Sequence, residues 1–482
     1  MELSSLVLSV LSFPFIASVA SMLSSGRKQP FLATLVLVSV SLGLYVVLLA
    51  ATGFGAETIG PFYDFYVDSF GLVLAGLALV IGVLVILYSY SYMSPENMEH
   101  PITEGWPRYY ALLSLFIGSV IGVAFSANLL LLTAFYELTT LCSALLISFY
   151  GTRKATRAGT QAFILTTLGG FALLMATAAT YRVAGSADLD ALARLHGSYA
   201  LAVGLLMLIA AWAKSAQLPF HIWLPDAMVA PTTVSAYLHA AAMVKVGAFV
   251  FLRYTQFALK VLEPGLAKTL GYIVLLDALA TMFYGAISYY RANDLKKLLA
   301  YSTIVQLSIV FCALSLPYLQ QSDRGLYAAA YHMWNHAYAK ALLFLVVGAI
   351  AFSIGRRSIH AVVGLASIKE MRVVVYSWLA GSLAISAIPP FGCFFSKLSI
   401  LFTGFKGPAE ALAAVAIAFA ESYLITLPVF LRISINMFKG RPETREPIRA
   451  KEPPQLVKLV LIALIIASLV SALAAPITMP TW

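Results

Sequence analysis

The chain has 482 residues, of which 61% are hydrophobic and 11% charged, and its mean hydropathy is +0.89. No soluble domain of this size has that balance, so the composition calls for an all-α polytopic membrane protein. The formal net charge of +10 belongs to membrane loops, because there is no soluble basic domain to hold nucleic acid.

Windows of roughly 20 apolar residues predict about fourteen spans, near 4–24, 31–53, 69–91, 109–126, 128–150, 158–182, 198–218, 231–253, 267–288, 294–315, 324–353, 373–405, 409–432 and 456–478. All belong to one transmembrane domain, 1–482. Spans 1–3 occupy 1–95, a first half 109–253, a second half 267–432, and a last span 456–478. The longest polar connection runs from Lys439 to Lys451. Span 1 begins almost at Met1, with no basic leader or small-residue cleavage site, and reads as a retained helix. Cys142, Cys312 and Cys393 lie inside spans without metal-ligand spacing and read as small core residues.

Loops after odd-numbered spans hold 20 of the 31 lysines and arginines and loops after even-numbered spans hold 7. The other four, Lys214, Lys245, Lys340 and Lys397, lie within spans. The positive-inside bias then puts both termini outside, in a prokaryotic cell membrane.

Span 5 carries Glu137 in LLLLTAFYELTTLCSALL, after a long apolar run. A cation partner would keep it ionised, and Lys214 at the end of span 7 is the natural candidate, either as a structural ion pair or as a working one. A lysine at bilayer depth costs at least ~2.5–3.5 kcal/mol on insertion scales, which makes it a candidate functional group. Pro219, Pro225 and Pro231 follow Lys214 and break the helix. In span 8, His239 precedes Lys245 by six residues, as a satisfied core histidine or as part of a relay.

Asp277 in span 9 and Glu421 in span 13 are further carboxylates at depth, each a protonated core acid or a partner of a lysine. Span 10 opens with Asp294, Lys296 and Lys297; the lysines either snorkel or one turns inward as an entry group. In span 11, His332, His336 and Lys340 fall at i, i+4 and i+8 and line one face. A histidine pair at that spacing can bind metal or haem, but there is no HExxH glutamate and the face ends in a cation, which favours a hydrated proton path. Span 12 breaks at Pro389-Pro390 and Gly392, with Lys397 two turns on. Two proline breaks beside buried lysines, five spans apart, suggest inverted five-helix repeats, spans 4–8 and 9–13.

The run AKSAQLPFHIWLPDAMVAPTTVSAYLHAAAMVKVGAF resembles the signature of the proton-conducting, antiporter-like membrane subunits shared by respiratory complex I, Mrp-type cation/proton antiporters and membrane-bound hydrogenases. FYELTTL, NDLKKLLAYSTIVQLS, HMWNHAYAKALLFL and PPFGCFFSK resemble the same family in the same order. The resemblance implies two half-channels joined by a polar axis. Glu137 and Lys214 match its regulatory ion pair, Lys245 its connecting lysine, His332, His336 and Lys340 its axis, and Lys397 its terminal group. Thr233 stands where the family usually has proline. No long C-terminal lateral helix is visible, and the short loops lean towards the hydrogenase and Mrp branches.

No Gly-rich phosphate loop follows a strand and no cysteine cluster exists, so neither a catalytic site nor a cofactor is expected. The expected function is translocation of H⁺ or Na⁺ within a multisubunit redox or antiport complex. Its partners would be other membrane subunits, other antiporter-like subunits among them, a peripheral redox arm and the bilayer. The alternatives are a stand-alone cation transporter and a non-conducting structural subunit.

Overall fold

The computed structural model describes residues 3–53, 57–59, 65–439 and 450–474. Six uninterrupted helices come first: α1 (Leu3–Met22), α2 (Lys28–Thr52), α3 (Ser69–Tyr92), α4 (Trp106–Phe125), α5 (Leu129–Ile147) and α6 (Arg153–Ala184). A two-stranded hairpin that the apolar periodicity did not predict, β1 (Glu57–Ile59) with β2 (Phe65–Val67), joins α2 to α3. Polar caps fix several helix starts. Asp68 accepts from Gly71 N at 2.8 Å, Asn128 from Leu130 N at 2.8 Å, and Asp294 from Lys297 N at 3.1 Å. Each supplies an acceptor for an amide that the first turn leaves unpaired.

Span 7 consists of α7 (Gly197–Ser215), the 3₁₀ turn Phe220–Ile222, the short α8 (Trp223–Asp226) and the turn Ala227–Val229. The proline break is where expected: Ala216 ends α7 at φ 52°, and Thr281 Oγ1 accepts from the freed Leu218 amide at 3.1 Å. Span 8 was expected to be continuous over 231–253 and is not. It splits into α9 (Thr232–Ala240) and α10 (Met243–Ala258), with Ala242 at φ −108°, ψ −99°.

Spans 9 to 11 are α11 (Pro264–Arg291), α12 (Leu295–Gln320) and α13 (Arg324–Ile354). Span 12 is α14 (Arg372–Ile385) and α15 (Gly392–Gly404), parted at Pro389-Pro390. Span 13 is α16 (Ala409–Glu421) and α17 (Leu427–Phe438), joined by a π-turn over Ser422–Thr426, and span 14 is α18 (Gln455–Val470). Among the described residues 13 helical segments are long and apolar enough to cross a membrane, with Gly392–Gly404 as a shorter apolar helix, which agrees with about fourteen spans. The polar connection expected from Lys439 to Lys451 lies largely outside the described residues, as does the end of the last span.

The bundle is organised around α13. Its apolar window and that of Thr232–Ala258 are buried along their whole length, whereas those of α1 and α2 are only 33% and 28% buried. Outer helices meet lipid with one side, while α13 is surrounded by protein along nearly all of its length, with Tyr327, Trp334 and Ile354 only partly covered. The positive-rich loops are drawn together by Arg357, which reaches Asp294 at 2.6 Å and Glu99 at 2.9 Å. Two span-end residues that the charge count places with the loops, Arg253 and Lys296, are wholly buried. Removing one from each side leaves the charge asymmetry intact.

Candidate functional site: a buried lysine and histidine axis

Lys214, Lys245, Lys296 and Lys340 are 0% exposed and Lys397 is 1% exposed. Withdrawing an ammonium from water is costly unless donors find acceptors, and all five amines find a backbone carbonyl. Lys214 Nζ donates to Tyr136 O, Lys245 to His239 O at 3.1 Å, Lys296 to Ala230 O at 2.5 Å, Lys340 to Leu299 O at 2.9 Å, and Lys397 to Ile385 O at 3.1 Å.

Two of these carbonyls exist because helices are broken. At the α9–α10 break the Ala241 and Ala242 amides both turn to Tyr237 O, and His239 O, near the end of α9, receives the Lys245 amine instead. Ile385 O ends α14 in the same way and receives Lys397. A helix C-terminus carries exposed carbonyls and partial negative charge, so a cation is favoured there.

Around Lys214 the sequence-based pairing is not realised in this structure. Beyond Tyr136 O, the amine donates to Thr139 Oγ1 at 2.5 Å and Thr140 Oγ1 at 3.0 Å, and it sits 3.4 Å from the centre of the Tyr136 ring. Glu137, which is half-buried, accepts from Thr167 Oγ1 at 3.5 Å, while its Oε1 is buried without a partner. Gly170 leaves the room it fills: a Cβ there would lie 1.5 Å from Glu137 Oε1. Carbonyl and threonine acceptors on α5 thus outcompete the adjacent carboxylate for the amine.

From Lys245 the contacts run on through α13. The amine meets His336 Nδ1 at 3.1 Å. The His336 ring stacks on that of His332 with centroids 5.9 Å apart, and His332 Nδ1 meets Ser396 Oγ at 2.9 Å, next to Lys397 in α15. Lys340, on the same face of α13, turns to α12, where Ser302 Oγ also accepts from it. His239 turns to α12 as well, with Nδ1 3.2 Å from Thr303 Oγ1. The Nε2 atoms of His239, His332 and His336 and both amide atoms of Gln306 are buried without a hydrogen-bond partner. Lys397 Nζ also donates to Ser422 Oγ at 2.7 Å.

The auxiliary candidates divide. Lys296 turns inward and Lys297 is exposed. Asp277 is half-buried, apart from the lysines, with Oδ2 buried and unpartnered. Glu421 lies beside the Lys397 site. Among the described residues no group of three or more His, Cys, Asp or Glu is placed to hold a metal. Sequence reasoning missed the acceptors Tyr136, Thr139, Thr140, Ser302, Thr303, Ser396 and Ser422. Hydroxyl residues one turn from a buried charge were the available signal.

A family model described as "NADH:quinone oxidoreductase/Mrp antiporter, TM" matches residues 126–424, more than half of the chain. The chain belongs to this family. The matched stretch contains every candidate from Glu137 to Glu421. Over 425 residues the chain is 36% identical to a probable K(+)/H(+) antiporter subunit of Rhizobium meliloti (strain 1021), covering 86% of this chain and 40% of that protein. Over 410 residues it is 34% identical to a Na(+)/H(+) antiporter subunit of Staphylococcus aureus (strain MRSA252), covering 78% and 48%. In the solved "Structure of Mrp complex from Dietzia sp. DQ12-45-1b", one chain superposes with a TM-score of 0.79 at 26% identity, over 99% of this chain and 52% of that one. The chain spans about half the length of the curated relatives it matches.

Proposed function

We propose that this chain is an ion-translocating, antiporter-like subunit of a multisubunit Mrp-type cation/proton antiporter, and that protons move along its lysine and histidine axis. The observation that carries this reading is the set Lys214, Lys245, Lys340 and Lys397, each sealed from lipid and each held by neutral oxygens instead of a carboxylate. An ammonium bound tightly to a carboxylate would be held in its charged form, whereas carbonyls and hydroxyls leave the proton exchangeable. A protonated amine repels a metal cation and offers it no acceptor, so H⁺ suits this line better than Na⁺.

Glu137 controls the first step. A carboxylate within about 4–6 Å favours the ammonium form of Lys214, and its withdrawal favours release of the proton. The proton passes across the α7–α10 contact, where Ser215 Oγ meets Val244 O at 2.8 Å, to Lys245. It continues through His336 and His332 to Ser396 and Lys397. His239, Lys340 and Gln306 flank this line, and the unpartnered polar atoms of His239 and Gln306 suit bridging water. Spans 4–8 and 9–13 serve as two half-channels.

The force that moves Glu137 comes from partner membrane subunits. The names of the relatives, antiporter subunits and an Mrp complex, support antiport coupling over a peripheral redox arm. The positive-rich loops face the cytoplasm of a prokaryotic cell, which puts both termini outside.

Lys214→Ala and Lys245→Ala, each in the native complex, are expected to abolish cation-driven proton movement in vesicles while the complex still assembles. Wild-type rates in either variant would overturn the relay.

A further inference from the structure

Span 13 holds a group that the axis above does not use. An α-helix sets residues i and i+5 about 140° apart around its axis, and the wider i→i+5 pattern of a π-turn brings them closer together on one side. The turn at Ser422–Thr426 does this: the Thr426 hydroxyl donates to Glu421 Oε1, five residues back, at 2.6 Å. Ser422, the next residue after Glu421, accepts from Lys397 at 2.7 Å. On the far side of Thr426 stands Tyr289 of α11, hydroxyl to hydroxyl at 3.2 Å.

All of these groups are enclosed. Glu421 is 5% exposed, Ser422 and Thr426 are 0%, Tyr289 is 2%, and Glu421 Oε2 is buried with no hydrogen-bond partner. A carboxyl group serving only to tie helices together would place both oxygens on donors, because each unpaired buried oxygen costs stability. Here one oxygen is free beside the residue that holds a lysine.

Direction follows from the chain. Thr426 lies beyond Glu421 on the way to the positive-rich loop after span 13. Tyr289 lies two residues before the exposed Arg291, at the end of α11 that meets the same face.

The geometry points to Glu421 as the carboxyl group that exchanges a proton with Lys397 and, through Thr426 and Tyr289, opens the far end of the axis towards the face rich in lysine and arginine. This rests on the axis reading above. In the step, the Lys397 ammonium gives its proton to the Glu421 carboxylate through the Ser422 hydroxyl or a bridging water, leaving a neutral amine and a carboxylic acid. The acid proton then passes along the Thr426 and Tyr289 hydroxyls, each receiving one proton and giving one, so no charge rests on either.

The test uses the complete native complex in membrane vesicles. Glu421→Gln keeps an acceptor for Thr426, so it is expected to assemble normally and to lose about tenfold or more of proton movement, with Glu421→Asp recovering part. Dicyclohexylcarbodiimide, which attacks protonated carboxyls in apolar surroundings, is expected to label the Glu421 peptide, and Lys397→Ala to change the extent of that labelling. Thr426→Val and Tyr289→Phe are expected to slow transport while the label persists. Wild-type transport by Glu421→Gln overturns the proposal. Wild-type transport by both Thr426→Val and Tyr289→Phe overturns the opening to the charged face. An inactive Lys397→Ala beside a fully active Glu421→Gln removes only Glu421's role, whereas wild-type rates in both remove the axis reading as well.

Discussion

Glu137 and Lys214 are the residues at which attraction between opposite charges did not foretell the hydrogen bonds. Sequence chemistry offered the lysine one acidic partner; the folded chain offers it the Tyr136 carbonyl and two threonine hydroxyls on the same helix. The acid instead occupies a notch made by Gly170. A methyl group there would have to displace the carboxylate, so Gly170→Ala is expected to lower transport as far as Glu137→Gln does while assembly stays normal. Equal rates for Gly170→Ala and wild type in a vesicle assay would show that the position of this acid does not set the rate. The buried lysines and histidines themselves were legible, because an ionisable group in an apolar run has few benign explanations. Their acceptors were not, since serine and threonine are also frequent where helices merely pack.

Among the elements, the breaks divide by what causes them. Those at Pro219 and Pro389-Pro390 could be read directly, because proline withholds an amide from the helix. The break between α9 and α10 could not: it falls in the run Ala240-Ala241-Ala242, made of the strongest helix former, where the Lys245 amine takes the carbonyl of His239. The tie between α3 and α10 was equally hidden. Arg253 closes an apolar run and counts with the loop charges, yet it is fully buried against Asp68, 185 residues away, at 2.6 Å. Gln256 and the Ala124 carbonyl complete the node. Removing one partner strands a buried charge, so Asp68→Ala is expected to cost about 3–5 kcal/mol, seen as a lower midpoint in thermal unfolding of the purified complex. Replacing Asp68 and Arg253 together with apolar residues should restore most of that loss.

At the scale of the whole molecule, the positive-rich face is held by Arg357 between loops that are far apart in sequence. Burial opposes its charge, but Glu99 and Asp294 outweigh that and hold the guanidinium above its usual pKa. Beside it, the His100 ring packs at a tilt against that of Tyr150, with centroids 4.6 Å apart. Burial pushes the His100 pKa below its ordinary 6.5; Glu99 opposes this, and Arg357 and Lys296 reinforce it. The neutral ring is therefore the folded form. Its contribution is present above pH 6.5 and is lost as pH falls through the lower folded value. The unfolding midpoint is expected to decline in mild acid, and His100→Gln to make that decline shallower, as measured by thermal scans across pH. The fourteen-span plan and the charge asymmetry were legible from apolar windows and loop composition. The hairpin of β1 and β2 was not, because its strands are only three residues long.

The near-complete enclosure of α13 has a further consequence for how the molecule meets its surroundings. A helix so largely shielded from lipid feels bilayer thickness, tension and headgroup chemistry mainly second-hand, through neighbours such as α1 and α2 that take the strain first. The histidines and lysines that α13 carries therefore keep their spacing while the rim of the bundle adapts to whatever membrane surrounds it.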